Sequence, residues 1–314
     1  MNKRIFISIV LVIIILVGGF AIYSNKGGSE NAESNKEMVT VNHKYGEIEI
    51  PKNPENVVVL DYGALDTLDL IGVEIDALPK KNLPQYLDKY KDDKYVDLGG
   101  LKEFDLEKIN ELNPDLIIIE GRQEDYYEEL SKIAPTLFIE GDNTDFVKSV
   151  KDKSLILGKI FDKENMVEEE LAKIDDEMSK VSEKVKEKNV DASVLFISDS
   201  SLSVYGEKSR FNIIYNEFGF KINDPEVSDS NHGESISYEY ILKSNPDYIF
   251  VIDKNVVTGT NNNTAKELME NDLVKSTKSY ENGNIVYLDS GVWYVGGAGI
   301  QSLNKRMSEI NEVI

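Results

Sequence analysis

Three basic side chains draw attention in a strongly acidic chain, whose formal net charge is −22 over 314 residues. Arg122 and Lys254 each close an apolar run, and Arg210 follows the segment SDSSLSVYGEKS. Cations gathered in an otherwise acidic protein predict a pocket for an anion, because partial removal of water strengthens each guanidinium contact. The alternative is that they are ordinary surface cations, and the spacing alone leaves both interpretations open.

Histidine, a common metal ligand and proton carrier near neutral pH, occurs only twice. His43 lies in the polar segment VNHKYGE and is predicted to be a surface residue. His232 lies in DSNHGES, which has the composition of a polar turn. A solvated loop residue is the simple interpretation of His232, and metal ligation or acid–base chemistry is the functional alternative.

An aromatic, glycine-rich segment, DSGVWYVGGAG, follows a predicted strand near the end of the sequence. It places Trp293, the only tryptophan, beside Tyr294 and ahead of residues 296–299, GGAG. Such a turn could bind an anion at the start of the next helix, but it matches neither nucleotide-binding fingerprint. We favour a glycine turn that allows close packing.

A duplicated segment positions several of these residues. Residues 104–122, FDLEKINELNPDLIIIEGR, correspond to residues 236–254, ISYEYILKSNPDYIFVIDK. Each copy predicts a short helix, a turn at the proline and a strand buried on both faces. Two distant copies indicate two similar lobes rather than a solenoid. They also place Arg122 and Lys254 at the strand ends, where ligands bind in parallel sheets.

One long helix is predicted between the two copies. Residues 163–188 lack glycine and proline, and their apolar positions step by four and three residues, as on one face of a helix. We favour a single connecting helix (163–189) between an N-terminal lobe (39–162) and a C-terminal lobe (190–314) over a coiled coil, which needs more heptads. The predicted fold class is α/β: two lobes with parallel sheets, joined by that helix, with a ligand cleft between them.

The first residues predict export. Two cations, Lys3 and Arg4, precede a nearly uncharged apolar run at residues 5–23. Its length suits a membrane-spanning helix better than the core of a signal peptide, and the cations place the N-terminus inside. Residues 1–23 are therefore predicted to be a membrane anchor or a signal segment, and the segment GGFA at 18–21 leaves cleavage open. Residues 24–38, rich in Gly, Ser, Asn and Glu, predict a flexible tether.

Composition argues against several classes of function. The acidic charge disfavours a nucleic-acid partner, since phosphate binding needs a basic face. The absence of cysteine excludes disulfides, thiolate catalysis, Cys-ligated zinc and iron–sulfur clusters. The sequence contains no nucleophile elbow, His-rich metal motif or phosphate loop, so an enzyme is not expected.

Five motifs together resemble the class III, periplasmic-type siderophore-binding proteins of iron ABC importers. They occur in the family's order: VVVLDYGALDTLDLIGV, NPDLIII with GRQ, SRFNIIYNEFGF, NHGESISYEYI and LDSGVWYVGGAG. The resemblance covers residues 39–314 and is strongest to the branch that captures ferric catecholate siderophores of the enterobactin-fragment and petrobactin type. It implies two Rossmann-like lobes, one connecting helix and modest closure on binding.

The resemblance implies two iron ligands. By motif, His232 in NHGES and Tyr294 in VWYVGG take the places of a histidine and a tyrosine that complete the coordination of siderophore-bound Fe(III). Four catecholate oxygens leave two octahedral positions open, which one imidazole nitrogen and one phenolate oxygen can fill. Iron as a Lewis acid favours deprotonation of the tyrosine, as bound metals do for other ligands.

The resemblance also implies a positively lined cleft. Arg122 and Arg210 match the family's cationic group, and Lys254 stands where an arginine is usual, which replaces a planar fork with a point charge. Tyr62 and Trp293 are expected among the ligand-binding residues of the same cleft. No intrinsic cofactor is implied, because the ligand is the Fe(III)–siderophore complex itself.

Partners and location are implied as well. One glutamate in each lobe, Glu107 and Glu239, is expected to dock on arginines of an ABC permease that works with its ATPase. Their alternative role is that of solvated helix-surface glutamates. We expect a monomer on the extracytoplasmic face of the membrane or in the periplasm. The lipobox cysteine common in relatives from single-membrane cells is missing, so the apolar segment is the expected anchor.

The sequence therefore predicts an extracytoplasmic substrate-binding protein that captures a ferric catecholate siderophore and delivers it to an ABC permease. The nearest alternative keeps the fold and changes the cargo to haem, cobalamin or a ferric hydroxamate. A binder of free zinc or manganese and an enzyme are more distant alternatives.

Overall fold

The computed structural model describes residues 37–142, 145–228, 230, 232–259 and 265–314. The predicted anchor or signal segment (1–23) lies outside these residues, as does most of the predicted tether (24–38). Within the described part of the chain, no helix combines the length and the apolar character needed to cross a membrane.

A hairpin and a fully parallel sheet form the first part of the fold. The hairpin pairs β1 (Met38–His43) with β2 (Gly46–Pro51). The strands of the first sheet are β3 (Val57–Val59), β4 (Ala77–Leu78), β5 (Val96–Asp97), β6 (Leu116–Ile119) and β7 (Thr136–Phe138). They are ordered β5-β4-β3-β6-β7. The uninterrupted apolar runs of β3 and β6 are fully buried, as expected for parallel strands covered on both faces.

The second sheet is mixed. Its strands are β8 (Asp191–Ser198), β9 (Ser201–Tyr205), β10 (Lys221–Ile222), β11 (Glu234–Ile236), β12 (Tyr248–Asp253) and β13 (Ile285–Tyr287). β8, β10, β12 and β13 pair in parallel, as predicted, whereas β9 is antiparallel to both β8 and β11. The antiparallel strands correct the expectation of a purely parallel sheet. Asp199, in the left-handed region at φ 56°, lets β8 turn straight back into β9.

Helices cover the two sheets. They are α1 (Tyr62–Leu70), α2 (Leu106–Leu112), α3 (Tyr127–Leu130), α4 (Phe146–Ile160), α5 (Glu164–Lys188), α6 (Ile213–Asn216), α7 (Tyr238–Ser244), α8 (Lys254–Thr258), α9 (Ala265–Met269), α10 (Asp272–Lys275), α11 (Lys278–Glu281) and α12 (Ile300–Val313). Residues Gln85–Lys91 and Gly121–Tyr126 form 3-10 helices, and Gly291–Val295 forms a π-helical turn.

The α/β class and the single long helix are confirmed. α5 buries the predicted stripe and packs against α4 and α12. It lies in the chain between the last strand of the first sheet and the first strand of the second. The division into lobes at residues 162 and 190 stays a prediction.

The two copies of the repeat have the same local structure. Asn113 ends α2 and Asn245 ends α7, both in the left-handed region, at φ 51° and 45°. Asparagine tolerates this conformation better than other non-glycine residues do. After each proline an aspartate binds the backbone at the start of a neighbouring strand. Asp115 accepts from the residue before β3 at 3.1 Å, and Asp247 accepts from the first residue of β8 at 3.0 Å.

The glycine turn before α12 packs tightly against α1. A Cβ on Gly63 would lie 2.6 Å from the backbone nitrogen of Ala298, so the absence of a side chain lets α1 and the glycine turn approach closely there. The fully buried carboxylate of Asp66 accepts hydrogen bonds of 2.6 Å from the backbone N–H groups of Gln301 and Ser302. This end of α12 therefore binds a carboxylate of the chain itself, which supports the close-packing interpretation of residues 296–299.

Candidate ligand-binding cleft

Two adjoining cavities, each of about 220 Å³, form a cleft at the carboxyl ends of the strands. The first cavity is lined by Arg122, Arg210, Trp293 and Tyr294, among others. The second continues toward Lys81. Arg122 and Tyr294 line both cavities and therefore lie at their junction. Carboxyl ends of parallel strands are the usual ligand position in such sheets.

Arg122 is held by the 3-10 helix that follows β6. The Gln123 side chain fixes this turn by accepting from the Glu120 N–H at 3.2 Å and donating to the Leu101 carbonyl at 2.6 Å. The guanidinium of Arg122 donates to Glu120 Oε1 at 2.9 Å, and its side chain is 26% exposed. An anion that binds Arg122 must therefore compete with Glu120.

Arg210 faces the same cavity from the second half of the chain. Its Nη2 donates to the Tyr294 carbonyl at 3.0 Å, and its guanidinium carbon lies 5.0 Å from the centre of the Tyr294 ring. Burial and, next, the positive charge of Arg122 lower the pKa of Arg210. Arg122 is thus close enough to disfavour the charge of Arg210, and an anion bound between the two arginines would relieve that repulsion.

Trp293 and Tyr294 reach the cleft from the π-helical turn after β13. Trp293 is only 2% exposed, and its indole N–H donates to Glu309 Oε2 at 2.6 Å. The half-buried Tyr294 lies 5.2 Å from Phe196, centre to centre. A single π-helical turn of this kind is frequent at functional sites. The predicted pair Trp293–Tyr294 therefore lines the cavity together with Arg122 and Arg210.

Two other predicted ligand-binding residues lie outside the lining of both cavities. Lys254 is the first residue of α8, and its Nζ donates to the Ser198 hydroxyl at 3.3 Å. Tyr62 is fully buried, and its hydroxyl lies 2.9 Å from each of two acceptors, the carbonyl oxygens of Pro79 and Lys81. Burial raises the pKa of Tyr62, so its hydroxyl keeps its proton. These contacts hold the Tyr62 hydroxyl against the backbone, and its part in ligand binding stays a prediction.

His232, the second predicted iron ligand, is exposed on the loop before β11. Its backbone N–H donates to the Ser230 hydroxyl at 3.1 Å. It does not line either cavity, and residues 229 and 231, which precede it, lie outside the described part of the chain. The pairing of His232 with Tyr294 on iron stays a prediction.

The first cavity is not lined by cations alone, which corrects the expectation of a positively lined cleft. Carboxylates share its wall, and they are Asp61, Glu120, Glu124, Glu140 and Asp142. Glu124 forms an ion pair with Lys44 of the β1–β2 turn, and Glu120 pairs with Arg122. The charge of the cleft is therefore mixed, and one of its cations, Arg122, already pairs with an acid of the wall.

Two cations in the wall of the first cavity were missed from the sequence. Lys153 on α4 is 4% exposed and Arg306 on α12 is 3% exposed. Each occupies a position on the buried face of its helix, where the apolar period of 3.6 residues calls for a hydrophobic side chain. A basic residue at such a position was the signal that would have found them.

The two predicted docking residues occupy equivalent, exposed sites. Glu107 lies in the first turn of α2 and Glu239 in the first turn of α7. A carboxylate in the first turn also complements the helix dipole, which is the structural alternative to docking. A hydrogen bond from Ser237 lowers the pKa of Glu239, so this carboxylate stays charged at neutral pH.

Sequence comparison finds related binding proteins. The family model described as periplasmic binding protein matches residues 57–292. Petrobactin-binding protein YclQ of Bacillus subtilis (strain 168) is 43% identical over 98% of this chain and 96% of its own length. Ferric-anguibactin-binding protein FatB of Vibrio anguillarum is 32% identical over 87% of this chain and 86% of its own.

Solved structures show the same fold. The crystal structure of YclQ superimposes with a TM-score of 0.85 at 44% identity, covering 88% of this chain and 98% of that one. The periplasmic catecholate-siderophore binding protein VctP of Vibrio cholerae gives a TM-score of 0.82 at 36% identity, covering 88% of this chain and 100% of that one. These relatives are named as binding proteins rather than as enzymes.

Proposed function

The chain belongs to the periplasmic binding protein family, and from this membership we propose that it captures a ferric catecholate siderophore outside the cytoplasm and delivers it to an ABC permease. The observation that carries the proposal is the shared cavity of Arg122 and Arg210, with Tyr294 beside both. The names of the relatives support the class of cargo.

Charge neutralisation supplies the first part of the binding energy. A ferric catecholate complex is an anion, and each guanidinium that replaces water around it contributes a charge-assisted hydrogen bond of roughly 1.5–3 kcal/mol. Arg210 is already partly dehydrated, so it loses little further hydration on binding. Arg122 leaves Glu120 for the stronger anion, and this exchange makes binding sensitive to the ligand's charge.

Coordination supplies the second part for a siderophore that leaves iron sites open. Tyr294 lies at the junction of the two cavities, where a phenolate oxygen reaches a metal centred in the cleft. His232 belongs to the loop before β11 and lines neither cavity, so the family resemblance alone supports its ligation of the same iron. A hexadentate siderophore offers no open site and relies on the cations alone.

Delivery and location complete the proposal. Glu107 and Glu239 dock onto permease arginines, one from each half of the chain, and the permease works with its ATPase. The protein acts as a monomer, carries no cofactor of its own and catalyses no reaction. Residues 1–23 tether it to, or export it across, the cell membrane, and no nucleic acid is involved.

The experiment that tests the coordination step compares two ferric catecholates, one tetradentate and one hexadentate. His232→Ala and Tyr294→Phe are each expected to weaken binding of the tetradentate complex and to leave the hexadentate complex nearly unchanged. His43→Ala and Tyr287→Phe, which alter residues outside both cavities, are the matched controls. Equal losses for the two complexes would contradict iron ligation by these side chains.

A further inference from the structure

The guanidinium of Arg306 lies in the wall of the first cavity with part of its hydrogen-bonding capacity unused. Its Nη2 donates to the Val292 carbonyl at 3.0 Å, and its guanidinium carbon lies 4.0 Å from the ring centre of Phe146 and 5.1 Å from that of Trp293. Its Nε and Nη1 are buried and have no partner in the described part of the chain. Buried polar groups of this kind are rare and call for an explanation.

A second buried cation lies in the same wall. Lys153 comes from α4, and its Nζ would lie 3.4 Å from a Cβ built on Gly141, another lining residue. Neither Lys153 nor Arg306 forms an ion pair with any residue that the structure describes. The carboxylate nearest in sequence to Arg306, Glu309, is hydrogen-bonded to Trp293 instead.

An unpaired interior cation is unfavourable unless something offsets it. Burial is the main reason that the pKa of Arg306 is lowered to about 9. The charges of Tyr86, Glu309 and Asp66 raise the pKa in part, and that of Arg210 lowers it. Aromatic faces on Phe146 and Trp293 stabilise the cation in part. They cannot use its free N–H groups, and they do nothing for Lys153. An anion in the cavity would meet Lys153 directly and would offset the charge of Arg306 at low dielectric.

We propose that Lys153 and Arg306 form an interior subsite for one oxyanion group of carboxylate or phosphate size, separate from the iron position beside Tyr294. The inference rests on the proposed function, because the subsite lines the same cleft. The anion meets Lys153 directly, while Arg306, whose free nitrogens are covered by protein, acts on it through its charge at low dielectric. The oxyanion is either a group on the siderophore or a free anion bound with it.

The first test uses inorganic phosphate and citrate without iron. Trp293, the only tryptophan, lies beside Arg306, so its fluorescence reports occupancy, and calorimetry gives an independent affinity. We expect saturable binding that weakens tenfold or more in Arg306→Gln and in Lys153→Gln. Lys305→Gln and Lys148→Gln remove neighbouring lysines of the same two helices that do not line the cavity, and they should bind as the wild type does.

Arg306→Lys keeps the charge and should retain most of the affinity for the anion. A comparison with Arg306→Gln therefore distinguishes loss of the charge from misfolding. If Arg306→Gln does not fold, Lys153→Gln and Arg306→Lys carry the test. Absence of saturable binding to the wild type, or equal binding by Arg306→Gln, would overturn the proposal.

The second test identifies the source of the oxyanion. It compares a ferric siderophore that carries a free carboxylate with its methyl ester, using the wild type, Arg306→Gln and Arg122→Gln. A loss in Arg306→Gln for the acid alone assigns the oxyanion to the siderophore. Losses for both complexes, together with tighter binding in added phosphate, assign it to a free anion. No loss for either complex overturns the subsite, whereas failure of both complexes to bind the wild type refutes the proposed function instead.

Discussion

In the first copy of the repeat, α2 leads through a left-handed Asn113 into β6, and in the second, α7 leads through Asn245 into β12. The aspartate after each proline binds the neighbouring strand in the same way. The cations that close the two copies differ. Arg122 pairs with a carboxylate and lines both cavities, whereas Lys254 donates to a hydroxyl and lines neither.

This difference shows that the two copies share a helix, a turn and a strand, whereas the cavity-lining residues of the first copy come from the segment that follows its strand. Backbone requirements, such as a left-handed residue before proline, are the same in both copies because both make the same turn. The segment after each strand is free to differ: a 3-10 helix follows β6 and α8 follows β12. Arg210, the second arginine that lines the first cavity, comes from a segment outside the repeat.

The largest effect is expected where the copies are most alike. The double change Glu107→Lys with Glu239→Lys should abolish iron uptake through the permease while siderophore binding stays normal, because charge reversal would turn both proposed docking contacts into repulsions. Each single change should reduce uptake to a similar extent. Glu111→Lys, an exposed position on α2, is the control, and normal uptake by the double variant would refute docking through these glutamates.

The next effect separates the copies. Arg122→Gln and Arg210→Gln should each weaken binding of a ferric catecholate by roughly 10- to 100-fold, the loss of one charge-assisted hydrogen bond or more. Lys254→Gln should cost less than about threefold, since only long-range attraction is lost. Calorimetry measures the affinity of each variant for the ferric catecholate, with Lys243→Gln as a surface control. If Lys254→Gln lost as much binding affinity as Arg122→Gln, the two cations would contribute equally, which would contradict the difference between the copies.

A smaller effect tests the common scaffold. Asn113→Ala should destabilise the protein by about 1 kcal/mol, the cost of alanine in the left-handed region. Asn245→Ala should cost about 1 kcal/mol more, because the Asn245 side chain also accepts from the Lys278 N–H at 2.8 Å. Urea unfolding measures both. Glycine relieves the backbone cost at both sites, so Asn113→Gly should be near neutral and Asn245→Gly should still lose the hydrogen bond.

The smallest effect concerns what each cation binds in the absence of cargo. Glu120→Gln should tighten binding of an anionic complex by about two- to threefold, because the ligand no longer competes with a partly exposed carboxylate for Arg122. Ser198→Ala removes the equivalent partner of Lys254 and should leave the affinity unchanged. Weaker binding by Glu120→Gln would mean that Glu120 positions Arg122 rather than competing for it.

Much of the fold could be predicted from the sequence because its signals are local. The apolar stripe of α5 and the repeated Asn-Pro-Asp turn depend on neighbouring residues. The hairpin of β8 and β9 was missed because a left-handed Asp199 makes the turn without any glycine. The contact between Asp66 and α12 joins residues more than two hundred positions apart, and no local pattern reports it.

The site was predictable in part for the same reason. Arg122 and Arg210 stood out as basic residues of an acidic chain and Tyr294 as part of an aromatic, glycine-rich segment, and the family resemblance then implied their roles. Lys153 and Arg306 were not predicted as site residues, because the apolar period of a helix does not show what its buried face packs against. The carboxylates in the cavity wall were not predicted, since they come from the segments that follow three different strands, β3, β6 and β7.

The most direct test of the account is a titration of the wild type, followed by Trp293 fluorescence, with a ferric bis-catecholate, haem, cobalamin and a ferric hydroxamate. The account predicts that the ferric bis-catecholate binds at least a hundredfold more tightly than the other three, and that its complex shows a broad visible charge-transfer band. Tighter binding of haem, with a sharp Soret band, or of the uncharged hydroxamate complex would contradict the claim that Arg122 and Arg210 select an anionic iron catecholate.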